Sequence, residues 1–327
     1  MTDLIEERSA KMMKKIALVM GFLILSVTSF SWGFYAHQKI NYLAVFMLPP
    51  EMLVFYKQHI DFISEHAVDP DKRRYAVAEE GARHYIDIDH YGHYPYDSLP
   101  RNWKDAVNRY SEDTLNRYGI VPWWIPIMHQ RLVKAFKERN GPAILKLSAE
   151  IGHYIADAHV PLHASSNHDG QLTGQRGIHG FWESRIPELL AEKEWDLFTG
   201  KASYIKNTRD LIWKCVLQSA LASDTVLRLE RELTSLIPAD RKFAFEERNG
   251  KMVRQYSAFF TIAYNDLLKG MVEKRMRASI DAVASFWFTA WVEAGQPNLS
   301  SLAVKEFSES DRKEFALLNQ LWKGEEH

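Results

Sequence analysis

An all-α fold is predicted for this 327-residue chain by three observations. Apolar residues recur at helical spacing along most of its length. Runs that alternate with period two are scarce. Hydrophobic residues make up 46% of the chain and charged residues 25%. That composition supplies a large core and excludes a disordered or collagen-like chain.

The N-terminal segment comes first. Lys11, Lys14 and Lys15 precede Ile16 to Phe30, a fifteen-residue run that is mostly apolar. A membrane-spanning helix needs about 20 such residues, whereas the apolar part of a secretory signal is shorter. Ser29 and Ser31 supply the small residues of a cleavage site. Residues 1–31 therefore read as a signal peptide, and 32–327 as one mature domain exported to a periplasmic or extracellular space.

Tyr35 to Phe46 reads as a helix, with Ile40, Leu43, Ala44 and Met47 on one face. Pro49 and Pro50 stop it. Glu51–Ser64 and Tyr75–Ile88 are the next helical stretches, followed by Trp103–Tyr118 and Trp123–Lys137. Asn140, Gly141 and Pro142 punctuate the chain before a helix from Ala143 to His159. Residues 164–180 are rich in Ser, Gly, His, Asn and Gln and read as a loop. Phe181–Glu194 is helical again, and long amphipathic segments follow at 203–235 and 251–293. No repeat or linker divides the chain, so one domain is expected.

The formal net charge is −1, so no basic field points to nucleic-acid binding. Cys215 is the only cysteine. It rules out an intrachain disulfide and a thiolate cluster, and reads as a small buried apolar residue. The 13 histidines are the informative class. His153 and Asp157 are spaced i,i+4, on one helix face about a turn apart. His163 follows Pro161, which ends that helix. His179 and Glu183 repeat the i,i+4 spacing. A single His–Asp pair is most often a helix-surface pair. Two such pairs flanking a loop, with a third histidine between them, point to a metal centre, because imidazole nitrogen and carboxylate oxygen are ordinary zinc ligands. His159 faces elsewhere on its helix. His90, His93, His168 and Asp169 read as loop residues, and His59 and His66 as surface residues.

With these residues in place, the sequence resembles the secreted trizinc phosphoesterases: the single-strand-specific zinc nucleases of fungi and plants and the bacterial zinc-dependent phospholipases C. The resemblance runs over residues 32–183. It begins at WGFYAH, where Trp32 and His37 have the spacing of the family's N-terminal ligands. It implies that the free amine and carbonyl of Trp32 chelate one zinc beside His37, which makes signal cleavage part of the site. It implies three zinc ions. His153 and Asp157 serve a close pair, Asp157 bridging it, and His163, His179 and Glu183 hold the third. The family's upstream aspartate and histidine fall on Asp69 and His84, with Asp71 the competing carboxylate. Asp69 and Asp157 are the residues the resemblance places in catalysis, with Asp69 orienting the attacking water. Tyr85 and Asp87 match the family's nucleobase pocket, a ring to stack and a carboxylate to accept hydrogen bonds.

The activity implied is zinc-dependent hydrolysis of phosphodiesters, with single-stranded DNA or RNA as substrate. Glu183 and the short connection from His163 to His179 resemble the phospholipase branch instead, with a phospholipid substrate. A third reading is a non-catalytic exported helical binding protein, whose aromatic stretch Trp103–Trp124 meets a partner or lipid surface. No obligate protein partner and no membrane span after cleavage are expected.

Overall fold

The computed structural model describes residues 33–248, 250–300, 302 and 306–325. The expected signal segment, its cleavage site and Trp32 lie outside the described residues.

The chain is mostly helical, as its periodicity predicts. The first helices are α1 (Phe34–Val45), α2 (Pro50–Gln58), α3 (Ile60–Glu65) and α4 (Asp69–Arg73). After a stretch without α-helix come α5 (Trp103–Tyr110), α6 (Glu112–Tyr118), α7 (Val121–Lys137) and α8 (Gly141–Ala158). A short turn at Ile178–Gly180 and a π-helical turn at Phe181–Arg185 lead into α9 (Ile186–Glu194). Then follow α10 (Thr208–Leu236), α11 (Ala239–Lys242), the strands β1 (Phe243–Arg248) and β2 (Lys251–Tyr256), α12 (Ala258–Leu267), α13 (Met271–Glu293) and α14 (Glu309–Glu325). No described helix is long and apolar enough to cross a membrane.

α8 is the axis of the fold, and its ends are set locally. The Asn140 side chain accepts from the Ala143 amide at 3.2 Å, satisfying one donor of the first turn. Pro142 sits in that turn, where its missing N–H costs nothing. The helix is buried along most of its length, from Ile144 to Ala158. α7 and α13 pack along it, and α13 also packs on α1. The core between them holds Trp182, Trp213, Trp287, Tyr56 and Tyr154, all fully buried. Two of these are tied to Ser148 on α8, by Tyr56 Oη to its hydroxyl (2.9 Å) and Trp287 Nε1 to its carbonyl (3.0 Å).

Three sequence expectations change. Residues 75–88 form no α-helix, only a 3₁₀ turn at Gly81–Arg83 and the start of another at Ile88–Tyr91. Their backbone bonds to distant segments instead, Ile86 N–H to the His163 carbonyl (2.9 Å) and Asp87 N–H to the Tyr118 carbonyl (2.7 Å). The predicted helix 103–118 breaks at Ser111, which has φ 68° and caps α6 by accepting from the Thr114 amide. The segment 251–293 holds a strand and two helices, α12 and α13 being separated at Gly270, φ 72°. The strand pairs antiparallel with β1, Phe243 opposite Tyr256 and Arg248 opposite Lys251.

Candidate metal centre

Three buried groups of histidine and carboxylate side chains converge where α1, α4 and α8 meet the loops after Gly81 and Val160. Two of them, His37 with His153 and Asp157 and Asp71 with His84 and His153, share His153. Asp157 Oδ2 lies 3.0 Å from His84 Nδ1 and 3.2 Å from His153 Nε2, and those nitrogens are 3.0 Å apart. Asp71 Oδ1 lies 3.7 Å from each nitrogen. The other Asp157 oxygen faces His37 Nε2 at 3.4 Å. The His37 and His153 rings stack at 3.8 Å. The third group is His163, His179 and Glu183: the two Nε2 atoms are 3.0 Å apart, and Glu183 Oε2 is 3.0 Å from His179 Nε2 and 3.5 Å from His163 Nε2.

These spacings fit metal ligation. Four ligands at the usual zinc distance of about 2.0–2.1 Å in a tetrahedron stand roughly 3.3–3.4 Å from one another. The donor edges of both groups cluster about that value. Glu183 is fully buried, and neither of its oxygens has a hydrogen-bond donor. A charge so placed is costly unless a cation meets it.

The rings are aimed by their far nitrogens. His153 Nδ1 donates to the Ala67 carbonyl (2.8 Å), His163 Nδ1 to the His84 carbonyl (2.6 Å) and His179 Nδ1 to the His168 carbonyl (3.2 Å). Each bond fixes the tautomer that leaves the Nε2 lone pair facing inward. The π-helical turn at Phe181–Arg185 carries Glu183 inward, and Arg185 anchors that turn by donating to the Tyr256 carbonyl (3.1 Å) and Glu246 (2.7 Å).

Without ions the three groups hold protons differently. Burial lowers the His153 pKa, but Asp157 and Asp71 outweigh it and hold the imidazolium up to about 9. Asp157 titrates well below the carboxylate range: burial pushes it up, and His153 and His163 overcome that. In the third group burial pulls His179 down to about 4 and raises Glu183 well above its usual value. Burial, reinforced by His153, lowers His37 to about 4.

The structure brings together His37, His84, His153, Asp157, His163, His179 and Glu183. Of the two upstream carboxylates it is Asp71 that approaches His84 and His153, whereas Asp69 turns away and pairs with His66 Nδ1 (2.5 Å) and Lys72 Nζ (3.5 Å). Both sit on the five-residue α4. Residues two apart point about 200° apart around a helix, so one turn cannot present both to the same site. The role of Asp69 in orienting a water loses its geometric basis with this placement.

Two supports were missed. Glu80 is fully buried, 3.7 Å from His84 Nε2, and is bonded by Tyr154 Oη and by Arg83 Nη1 (2.5 Å). Its i,i+4 spacing to His84 was the available signal. Asp169, read as a solvated loop residue, is buried and accepts from the Gly177 amide at 2.8 Å. His159 is buried apart from the centre, with Nδ1 on the Ile155 carbonyl (2.7 Å). His90 stacks on Tyr118 at 3.4 Å.

Tyr85 and Asp87 follow His84 on the irregular stretch. Tyr85 is half-buried, its hydroxyl donating to the Arg117 carbonyl at 3.2 Å. Gly119 closes against it at φ 88°, where a Cβ would overlap the Tyr85 carbonyl carbon and ring. The Asp87 carboxyl has a buried oxygen with no hydrogen-bond donor. Burial, and then the nearby Asp89 carboxylate, raise it to about 7.

No protein-family model matches the sequence, and no curated protein matches it.

Proposed function

We propose that the chain is a zinc-dependent phosphodiester hydrolase of the trizinc phosphoesterase type, acting on single-stranded nucleic acid. The observation that carries the reading is the arrangement of seven inward-facing ligands around Asp157, with both Asp157 oxygens engaged by different histidines. Asp71, His84, His153 and Asp157 would hold one ion, and His37 and Asp157 a second. His163, His179 and Glu183 would hold the third. Trp32, outside the described residues, would complete the second set through its amine once the signal is removed. Bound zinc supplies Lewis acidity and lowers the pKa of water, the chemistry that phosphodiester cleavage needs.

The protein's own part is positioning. Asp157 neutralises and spaces two cation sites with one carboxylate. The carbonyls of Ala67, His84 and His168 keep three imidazoles in one tautomer. The Tyr85 ring offers a face on which a base stacks, a contact tolerant of sequence. Asp87 presents an unsatisfied oxygen for base N–H groups, and near neutral pH it changes from donor to acceptor. A phospholipid substrate is the second reading, favoured by glutamate rather than aspartate at position 183.

The test compares kcat/KM on single-stranded DNA and on a small activated phosphodiester, for wild type and Tyr85→Ala at equal metal content. Stacking is worth about 1–3 kcal/mol per base, so the DNA value should fall roughly five- to 150-fold while the small substrate changes little. Equal loss on both removes the base pocket. Turnover of phosphatidylcholine and not of DNA replaces the nuclease reading with the phospholipase one.

A further inference from the structure

A cavity of about 700 Å³ opens on the surface where α5, α7 and α10 begin. Five cations line it: Arg101, Lys104, Arg131, Lys134 and Arg209. No carboxylate does. That is unusual in a chain of net charge −1. The neighbouring cavity between α7, α8 and α14 is ordinary by comparison, its Arg139 and Lys146 being matched by Glu138, Glu150 and Asp311.

Few of these cations are paired from outside the lining. Lys134 has a carboxylate neighbour, Glu138, at 3.7 Å, and both side chains are exposed. Among the described residues Arg101, Lys104, Arg131 and Arg209 form no ion pair. Arg101 lies over the Trp213 ring (6.0 Å) and Arg131 over the Trp124 ring (4.9 Å), so aromatic faces hold these guanidinium groups without cancelling their charge. Three helices start at the cavity: Trp103 and Lys104 open α5, Pro122 and Trp123 open α7, and Arg209 is in the first turn of α10. Asp105 and Asp210 lie in the first turns of α5 and α10, whereas α7 has no carboxylate in its first turn, so the partial positive charge of the α7 N-terminus is the one that adds to the side chains.

The floor is apolar and aromatic. Trp103 meets Trp123 edge-on at 5.6 Å, and Trp123 meets Trp213 at 5.2 Å. Trp103 is only partly buried, so part of its ring borders the cavity. None of the lining residues belongs to the histidine and carboxylate groups. The two places are separate, with Trp124 and Tyr154 standing between Arg131 and His84.

We propose that this cavity is a second binding site, for a nucleoside monophosphate: the phosphate on the guanidinium and ammonium groups, the planar base against Trp103. The volume lies within the range of small-ligand pockets, about 300–1,000 Å³. A free inorganic anion would use the cations and leave the indoles idle. A choline headgroup would bring its own cation against Arg101 and Arg209. The site stands whether or not the metal centre hydrolyses phosphodiesters, because it shares no residue with it.

The experiment is calorimetric titration of the zinc-loaded protein with adenosine 5′-monophosphate, inorganic phosphate and phosphocholine, on wild type, Arg101→Gln, Arg209→Gln and Lys134→Glu. A saturable adenosine monophosphate site is expected that Arg101→Gln and Arg209→Gln each weaken about tenfold or more, as for a lost hydrogen bond to a charged group. Lys134→Glu, on an exposed side chain, should weaken it as well and serves if either arginine variant misfolds by circular dichroism. Inorganic phosphate and phosphocholine should bind at least tenfold more weakly. Unchanged affinity in the folded variants overturns the site, as does a signal that disappears only when zinc is removed. Phosphate binding as tightly as the nucleotide, or phosphocholine binding more tightly, overturns the assigned ligand.

Discussion

Gly152 on α8 is next to His153 of the buried groups, and replacing it by alanine tests how fold and site are joined. A Cβ at position 152 would overlap the Asn41 side-chain oxygen, with Cγ at 2.9 Å and Nδ2 at 3.0 Å. Asn41 has nowhere to go. It is 1% exposed, and its Nδ2 donates to the Ile63 carbonyl (3.1 Å) and the Ala149 carbonyl (3.0 Å), tying α1 to α3 and α8. Overpacking a tight core costs about 1–3 kcal/mol. Losing the two amide bonds adds about 1 kcal/mol each. Alanine returns about 1 kcal/mol of helix propensity. The net expectation is a destabilisation of roughly 2–4 kcal/mol.

The same displacement reaches the metal centre, because His37 is one turn before Asn41 on α1 and stacks on His153 at 3.8 Å. Moving α1 off α8 separates His37 from Asp157. Gly152→Ala should therefore also bind less than the wild-type complement of zinc. Urea unfolding with zinc and with chelator measures the first effect, and elemental analysis of gel-filtered protein the second. The double variant Asn41→Ala, Gly152→Ala removes the overlap. It should be more stable than the sum of the single losses by about 1–3 kcal/mol. A Gly152→Ala protein as stable as wild type, with full metal content, would refute the reasoning.

Three further outcomes are expected. Asp71→Asn should lose more bound zinc than Asp69→Asn, since only Asp71 approaches His84 and His153; elemental analysis decides, and equal retention contradicts the placement on α4. Zinc affinity should rise between pH 6 and 9, because an imidazolium held up to about 9 must lose its proton before it can bind a metal. The sign for the metal-free fold is opposite: His153 has a raised folded pKa, so its stabilising contribution is complete below the unfolded value near 6.5 and fades as pH rises through about 9. Competition titrations against a chromogenic chelator and urea midpoints over that range test both slopes. Glu314→Ala should destabilise the docking of α14, because Glu314 meets both Arg73 Nε (2.9 Å) and Lys146 Nζ (2.6 Å). These half-buried pairs lie between exposed ones, worth up to about 1 kcal/mol, and buried ones at about 3–5, so thermal unfolding should report a loss of roughly 1–3 kcal/mol.

What could be read from the sequence divides along a physical line. His153 with Asp157 and His179 with Glu183 were legible because their meeting is intrahelical, fixed by spacing alone. The helices 34–45 and 141–158 were legible for the same reason. Asp71 was not, because nothing local tells which of two carboxylates on a five-residue helix faces inward; the answer comes from how α4 docks. The hairpin 243–256 escaped because each strand is only six residues long and lies between strong helical patterns.

The stretch 75–88 carries this argument furthest. Its composition suits a helix, and a helix would have closed its hydrogen bonds within itself. The structure instead sends Ile86 N–H to the His163 carbonyl and returns a bond from His163 Nδ1 to the His84 carbonyl at 2.6 Å. Asp87 N–H reaches Tyr118, and Val121 N–H reaches the Tyr85 carbonyl (3.2 Å). These reciprocal bonds clasp two irregular segments that carry histidines of different buried groups. The Ile86 amide and the His84 carbonyl, released from a helix, hold His84 and His163 in register across 79 residues of chain. The residues hardest to place from sequence are thus the ones whose local structure has been given up for long-range bonds, and those bonds set the spacing between the buried groups.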